Sequence, residues 1–299
     1  MKKSKGLRTK FIDVTKMNQD YVEGPLKKEL YHIFPRIATG IQKTNRSYKA
    51  EIKNLKEDNK YAPKEFWDKV VEKAKSLDID LIGFTPVDES LMFEKDYNSH
   101  ITTLYDNGIV LGMEMMYDPI DQSPGPQSSI ETFRVYADLG IAANKLAEFI
   151  RSEGYGAIAC HPIGGPILYP AMAVKAGLGE IGRQGLLITK EFGPRQRLSL
   201  IATNASPLPE TIKEEFRISE YCQKCGKCIL TCPQKAIYDE PLINENGTIT
   251  RINSDKCFIY FYETMGCGIC VHHCPSNAMH LIKTELRRVF IPPPRLKNV

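Results

Sequence analysis

The sequence contains no uninterrupted run of about 18 apolar residues, so it offers no candidate membrane-spanning helix. Its basic start is not followed by the apolar stretch of a signal peptide, because Asp13, Lys16 and Asp20 interrupt it, and no twin arginine occurs there. We therefore expect a soluble, cytoplasmic protein with no membrane association. At 299 residues, 42% of them hydrophobic, the chain is long enough for one large and one small domain.

The chain also lacks a strong overall charge, since its formal net charge is only +4, but the charge is uneven. The first 60 residues contain 15 Lys or Arg against 7 Asp or Glu, and the remainder contains 25 against 29. We predict a basic N-terminal arm over residues 1–60, solvated and partly mobile. Alternatively, such an arm would bind an acidic partner, a nucleic acid or an anionic lipid surface. Its densest part comprises Lys2, Lys3, Lys5, Arg8 and Lys10.

Cysteine is concentrated in one region, where eight of the nine cysteines lie within residues 222–274. In a long chain without a signal peptide this pattern favours metal binding over disulfides. The first group has the spacing Cys-x2-Cys-x2-Cys-x3-Cys-Pro, which is typical of bacterial ferredoxins, whose fourth cysteine serves the other cluster. The second group begins at Cys257 and ends in a matching Cys274-Pro275.

The paired spacing predicts two 4Fe–4S clusters with interlocked ligands. A structural zinc site is the alternative, but zinc needs only four thiolates and gives no reason for two Cys-Pro pairs. We assign one cluster to Cys222, Cys225, Cys228 and Cys274, and the other to Cys232, Cys257, Cys267 and Cys270.

Upstream of the cysteines, apolar periodicity predicts alternating helices and short strands. Predicted helices cover 63–77 and 128–151, with Gly154 as a stop, and predicted strands cover 80–85, 108–115, 157–160, 186–189 and 198–203. Residues 154–193 hold nine of the 21 glycines. Tight turns alone would account for some of these glycines, but their density favours a ligand surface lined by backbone.

Residues 175–197, KAGLGEIGRQGLLITKEFGPRQR, closely resemble the corrinoid-dependent reductive dehalogenases and, more distantly, the epoxyqueuosine reductases. Residues 112–121 and 149–157 and both cysteine groups support the resemblance, which extends over about residues 65–280. It implies an α/β fold (α+β): a nitroreductase-like, cobalamin-binding core at 61–210, then a bacterial ferredoxin-like two-cluster domain at 211–285 and a tail at 286–299.

The resemblance further implies that the clusters pass electrons to a cobalamin, which reductively cleaves a carbon–halogen or carbon–oxygen bond of a small molecule. The chain lacks the Asp-x-His-x-x-Gly signature of many corrinoid proteins, which suits this family and equally suits a protein without corrinoid. A low-potential donor such as ferredoxin or flavodoxin would supply the electrons under anaerobic conditions. The residues expected to contact the cofactor are Gly177, Gly179, Gly182, Gly185 and His161, the last with a structural role as its alternative.

In reductive dehalogenases a tyrosine donates the proton and a nearby cation lowers the pKa of that tyrosine. The matching positions here are Tyr136 and Arg195. A phenol with a pKa near 10 is a poor acid at neutral pH unless a cation stabilises its anion. The alternatives are that Tyr136 is a tyrosine of the core and that Arg195 lies on the surface or binds the cofactor.

Three other functions are compatible with the sequence. An epoxyqueuosine-reductase-like enzyme is disfavoured as a binder of transfer RNA, because the chain ends about 25 residues after Cys274. A non-catalytic electron carrier or activator would need the clusters but no closed pocket. A flavin reductase would use the same core with a different cofactor. The sequence does not name the substrate or the oligomeric state.

Overall fold

The computed structural model describes residues 16–55, 59–93, 103, 105–210, 218–244 and 247–281. The basic residues at positions 2–10 lie outside these ranges. The helices are α1 Gly24–Lys53, α2 Lys64–Lys75, α3 Tyr117–Ile120, α4 Pro126–Ser152, α5 Tyr169–Lys175, α6 Ile218–Cys225, α7 Lys227–Thr231, α8 Ser254–Glu263 and α9 Ile269–His272. The strands are β1 Lys60–Tyr61, β2 Leu81–Pro86, β3 Asn107–Glu114, β4 Ala157–Cys160, β5 Glu180–Ile181, β6 Leu187–Ile188, β7 Gln196–Thr203, β8 Ala205–Ser206, β9 Ile237–Ile243 and β10 Ile249–Ile252. None of the described helices is long and apolar enough to cross a bilayer.

A four-stranded antiparallel sheet in the order β2-β3-β7-β4 forms the centre of the larger domain. Successive side chains of a strand point to opposite faces, so each strand buries two sets of apolar residues. The paired Ile109 and Ile201 face α2 and α4, while the paired Val110 and Leu200 face α5. Helices therefore cover both faces, as the mixed α/β pattern of the sequence predicts.

Helix α4 is the central helix of this domain, and the sequence predicts it well. Pro126 occupies its first turn, where a missing N–H costs nothing, and Gly154 follows its end with φ +89°. Between them, α4 packs against the sheet on one side and against α1 on the other. This double coverage explains why the helix is buried over most of its circumference.

The segment predicted to be a mobile arm contains a 30-residue helix, so this expectation is corrected for residues 24–53. Helix α1 buries one stripe against α4 and, near its C-terminus, against β4 and Tyr105; the stripe is formed by Leu30, Ile33, Ile37, Gly40, Thr44, Tyr48 and Glu51. The spacing of three and four residues is that of an amphipathic helix. Because some members of the stripe are small or polar, the sequence does not show a clear apolar pattern here. The basic residues of the segment dominate its composition instead.

The cysteine-rich module follows residue 218. It consists of four short helices and the antiparallel hairpin β9–β10. Two of its helices begin directly after a glycine in the left-handed conformation, Gly226 with φ +61° and Gly268 with φ +66°. Each of these glycines follows a cysteine, so the two cysteine groups share one local geometry, Cys-Gly-x-Cys. Glycine adopts this conformation without the steric cost that a Cβ would add.

Candidate metal centre and adjoining redox site

The eight cysteines of the module form two groups. None of the eight forms a disulfide, and all are half-buried. Burial raises the pKa of Cys274 to about 12, with further contributions from the thiolates of Cys222 and Cys228. Burial is the largest cause of the raised pKa of Cys228, and the charges of Cys222 and Cys225 raise it further. We refer to Cys222, Cys225, Cys228 and Cys274, the first set that the spacing predicts, as the first group.

The remaining four thiols interact in the same way. Burial raises the pKa of Cys257 to about 11, and Cys267 and Cys232 raise it further. Burial also raises the pKa of Cys270, where Cys267 and Cys257 are the strongest charged neighbours. We refer to Cys232, Cys257, Cys267 and Cys270 as the second group, although Cys228 of the first group also raises the pKa of Cys270. The assignment of these eight cysteines to two clusters, which the sequence spacing predicts, stays a prediction.

These thiols fit iron–sulfur clusters by their chemistry. Iron binds the deprotonated thiolate, and the metal replaces the proton that burial otherwise keeps in place. Among the described residues, no three His, Cys, Asp or Glu side chains converge on the position of a single metal ion. The fit to 4Fe–4S clusters therefore rests on the eight thiols and their division into two sets of four.

The second cysteine group faces the larger domain. Cys270 and the buried Val271 pack against the main apolar core. A Cβ on Gly268 would lie only 2.5 Å from Oγ of Ser123, so the loop after Cys267 approaches the core closely. The first group touches the larger domain through Arg183, which donates a hydrogen bond to the carbonyl oxygen of Gln223. We name the second set the inner group and the first set the outer group.

Tyr136, the predicted proton donor, lies half-buried on α4 at the edge of an apolar cluster. The same cluster contains Phe261, Tyr262 and Met265, which lie in the chain between Cys257 and Cys267. The predicted tyrosine is therefore next to the part of the module that carries the inner group. The guanidinium carbon of Arg197 lies 4.8 Å from the centre of the Tyr136 ring.

Arg197, and not the predicted Arg195, is the cation that the structure places at Tyr136. Met113 and Arg197 are directly paired on β3 and β7, on the sheet face that α4 covers. Arg197 donates a hydrogen bond of 3.4 Å to Oγ1 of Thr132, and its Nε is buried without a hydrogen-bond partner among the described residues. Alternation along a strand would have identified it, because positions 197, 199 and 201 share one face.

Arg195 instead joins the two domains from a fully buried position. It forms an ion pair of 2.6 Å with Glu114 and donates hydrogen bonds to the carbonyl oxygens of Met115 and Asn277, at 2.5 and 2.9 Å. Asn277 lies only three residues after Cys274. Beside it, a Cβ on Gly193 would lie 2.0 Å from the carbonyl oxygen of Ser276. The sequence Gly193-Pro194-Arg195 is therefore a joint between the sheet and the cysteine module.

Replacing Arg195 by methionine should lower the free energy of unfolding by about 3 kcal/mol, because it leaves Glu114 unpaired and two buried carbonyls without a donor. Lysine should rescue little, since it lacks the planar fork of the guanidinium. Urea unfolding of anaerobically purified protein measures the change, with exposed Arg46→Met on α1 as the control. An unchanged midpoint for Arg195→Met would contradict the joint.

Three of the four predicted cofactor glycines have packing roles within the chain. Gly177 ends α5, where its N–H bonds to the carbonyl of Val174. A Cβ on Gly179 would lie 2.2 Å from the carbonyl oxygen of Ile188, and one on Gly182 would lie 2.4 Å from Oε1 of Gln184. These contacts are made within the hairpin β5–β6.

Gly185 differs from these glycines, because its Cβ direction is nearly open. The nearest atom, Cβ of Arg251, would be 3.8 Å away. Within the same turn, Nε2 of Gln184 is buried and has no hydrogen-bond partner among the described residues. The hairpin thus retains one bare backbone position and one orphaned amide.

The structure places the His161 ring between helices α1 and α4, and its Nε2 has no hydrogen-bond partner among the described residues. It is buried, and its Nδ1 lies 3.1 Å from the N–H of Ile163, which donates to it. Its Nε2 points at α4, where a Cβ on Gly140 would lie only 2.2 Å away, and Gly40 of α1 is the next neighbour. Burial lowers the pKa of His161 to about 4, so the ring is neutral at physiological pH.

Gly140→Ala should destabilise the protein by about 1–3 kcal/mol, although alanine is the better helix former, because its methyl group collides with the His161 ring. In a His161→Ala background the same change should cost much less. Thermal unfolding of the four variants gives the coupling energy. A coupling below about 0.5 kcal/mol would show that the two side chains are independent.

Comparisons with known proteins agree with the motifs. A family model described as a 4Fe-4S dicluster domain matches residues 221–278. The tetrachloroethene reductive dehalogenase of Sulfurospirillum multivorans is 35% identical over 198 residues, which cover 63% of this chain and 39% of that protein. The epoxyqueuosine reductase of Lactococcus garvieae is 29% identical over 150 residues, covering 45% of this chain and 38% of that protein. The chain therefore spans about two fifths of the length of the curated relatives that it matches.

Solved structures show the same fold. A catabolic reductive dehalogenase in complex with 3-bromo-4-hydroxybenzoic acid superposes with a TM-score of 0.64 at 22% identity, covering 74% of this chain and 35% of that one. An epoxyqueuosine reductase with a tRNA stem loop superposes with a TM-score of 0.52 at 18% identity, covering 71% and 65%. The predicted fold class is confirmed, and the homologues of this chain are reductases of these two kinds.

Proposed function

We propose that this homologue of reductive dehalogenases is an iron–sulfur reductase in which Tyr136 and Arg197 form the proton-donating pair. The single observation that carries the proposal is the position of Arg197, 4.8 Å from the Tyr136 ring, beside residues that connect Cys257 to Cys267. The proposed electron donor, the inner group, and the proposed proton donor, Tyr136, would therefore lie close together. A reductive cleavage needs both at one carbon atom.

Arg197 places a positive charge over the ring of Tyr136, the proposed proton donor. A cation within about 6 Å of a phenol stabilises the phenolate and so favours loss of the proton. The surrounding side chains are largely apolar and include Phe133, Phe261 and Met265.

The two cysteine groups would deliver electrons in sequence. We assign a 4Fe–4S cluster to the outer group, Cys222, Cys225, Cys228 and Cys274, and another to the inner group, Cys232, Cys257, Cys267 and Cys270. The matching dicluster family model over residues 221–278 supports this assignment. The inner group packs on the core beside the Tyr136 cluster, so it is the terminal donor of the pair.

The acceptor that the relatives suggest is a corrinoid, which when bound supplies a low-valent cobalt able to take the leaving group from a carbon atom. The chain offers two groups of the β5–β6 hairpin that fit its amide-bearing rim: the open backbone at Gly185 and the orphaned Nε2 of Gln184. His161 does not fit, because its ring is enclosed by α1 and α4. The role of the remaining glycines is to hold the hairpin that presents these groups.

The substrate class follows from the same comparison and is a small organohalide. Two of the relatives are named for halogenated substrates or crystallised with one. Tyr136 would protonate the carbon from which halide departs, and Arg197 would hold the resulting phenolate until it is reprotonated. An epoxyqueuosine-type carbon–oxygen cleavage is the second candidate, because relatives of that kind share the fold. The predicted cytoplasmic location and the predicted electron donor remain predictions.

Anaerobic reconstitution with iron, sulfide and hydroxocobalamin tests the proposal. After desalting, we expect about eight irons and one cobalt per chain. With reduced ferredoxin and a brominated phenol, we expect halide release. Zinc in place of iron would contradict the clusters. Iron–sulfur absorbance without cobalt would contradict the corrinoid and favour an electron carrier, and a yellow extractable cofactor would favour a flavin reductase.

A further inference from the structure

The outer cysteine group lies beneath an exposed surface that carries positive charge. Lys224 at the end of α6 and Lys227 at the start of α7 are exposed, and each is next to a cysteine of this group. Between them, Gly226 has no heavy atom within 4 Å of the position its Cβ would occupy. Leu230, one turn further along, is 84% exposed. We name Lys224, Gly226, Lys227 and Leu230 the α6–α7 surface.

The charges of this surface are available to a partner. Neither Lys224 nor Lys227 forms an ion pair with any carboxylate of the described residues, whereas Lys27, Lys43, Lys64, Lys69 and Lys175 do. An exposed leucine flanked by unpaired lysines combines an apolar anchor with a charged rim, which is the usual composition of a protein-binding patch. Cys270 of the inner group packs against the main core, whereas Lys224, Lys227 and Leu230 beside the outer group are exposed.

We infer that the α6–α7 surface is the docking site of an acidic one-electron carrier protein. The inference rests on the iron–sulfur part of the proposed function and locates the entry point of its electrons. In each encounter the reduced carrier loses one electron and the oxidised cluster of the outer group gains it. No covalent bond forms or breaks, and no proton moves.

Charge decides the kind of partner. Two copies of this chain would bring four lysines together, which opposes self-association through this surface. An acidic carrier would gain from the same charges, and electrostatic steering raises association rate constants about 10- to 1000-fold at low ionic strength. Carriers that must dissociate after each electron use small interfaces, and one leucine with two lysines fits that size.

The test is stopped-flow reduction of anaerobically reconstituted protein by a reduced plant-type 2Fe–2S ferredoxin. In Lys224→Glu/Lys227→Glu, the second-order rate constant should fall at least about tenfold at low ionic strength. As the salt concentration rises, the Debye length shortens from about 30 Å at 0.01 M to about 8 Å at 0.15 M. The second-order rate constant of the unmodified protein should fall over this range, and that of the variant should not. Leu230→Ala should raise the Kd for ferredoxin without changing the salt dependence.

Lys49→Glu/Lys53→Glu on α1 is the matched control, since both lysines are exposed and distant in sequence from the cysteines. Dithionite, which needs no docking surface, should reduce every variant equally. Absence of any reducible cluster would contradict the proposed function and not this inference. An unchanged rate after reversal at 224 and 227, or an equal loss in the control, would overturn the inference. So would salt-sensitive dimerisation of the unmodified chain that the reversal abolishes, because it would assign the surface to a second copy.

Discussion

Tyr136→Phe should reduce turnover of a halogenated phenol about 10²- to 10⁴-fold, the usual contribution of a general acid. The substitution removes only the phenolic hydroxyl, so the ring still packs beside Phe261 and Arg197. The iron content and the rate of cluster reduction should not change. Steady-state halide release by the reconstituted protein measures the effect, and stopped-flow reduction measures the unaffected step.

Tyr31→Phe is the control for this prediction, because Tyr31 is an exposed tyrosine of α1. A Tyr136→Phe protein with normal turnover would show that the proton has another source and that Tyr136 only packs. Arg197→Lys should retain part of the activity by keeping a positive charge, and Arg197→Met should lose most of it. Equal activity of these two variants would contradict the role of the cation.

Cys270→Ala should remove the inner cluster, lowering the iron content from about eight to about four per chain and abolishing turnover. Cys270 is the most deeply placed thiol of the inner group and packs against the core. The remaining cluster should still accept one electron from dithionite. Iron analysis and the amplitude of the absorbance change on reduction measure both effects.

Cys160→Ala provides the matched control. Cys160 is fully buried on β4, and burial raises its pKa to about 12, so it remains a neutral thiol. Its removal should leave iron content and turnover unchanged. Full iron content in Cys270→Ala would contradict the assignment of this residue, and iron loss in Cys160→Ala would contradict the division of the nine cysteines into eight ligands and one core residue.

The sequence predicts those parts of this protein that depend on local patterns. Cysteine spacing predicts the two groups, because the Cys-Gly-x-Cys turn brings neighbouring thiols together whatever the rest of the fold does. The four strands of the central sheet and α4 are predicted because each follows an apolar pattern in the sequence. Helix α1 was missed because the stripe it buries includes Gly40, Thr44 and Glu51, which are not apolar.

The sequence does not predict contacts between distant segments. The motif Gly-Pro-Arg-Gln-Arg predicts Arg195 as the partner of Tyr136 and does not single out Arg197. The structure separates them because Arg195 precedes β7 and reaches Asn277, whereas Arg197 lies within β7 and faces α4. Similarly, the glycines of the β5–β6 hairpin suggest an open ligand surface, but a Cβ on Gly179 would collide with the opposite strand.

The joint formed by Gly193 and Arg195 would link iron loading of the cysteine module to the folding of the larger domain. Both residues contact backbone carbonyls at positions 276 and 277, directly after the cysteine that completes the outer group. Any ligand that binds only the folded state stabilises that state. Iron depletion would therefore destabilise the sheet as well as the module. Amide hydrogen exchange along β3 and β7 would become faster when the metal is removed. In this chain the prosthetic groups would serve as structural supports of the domain that they supply with electrons.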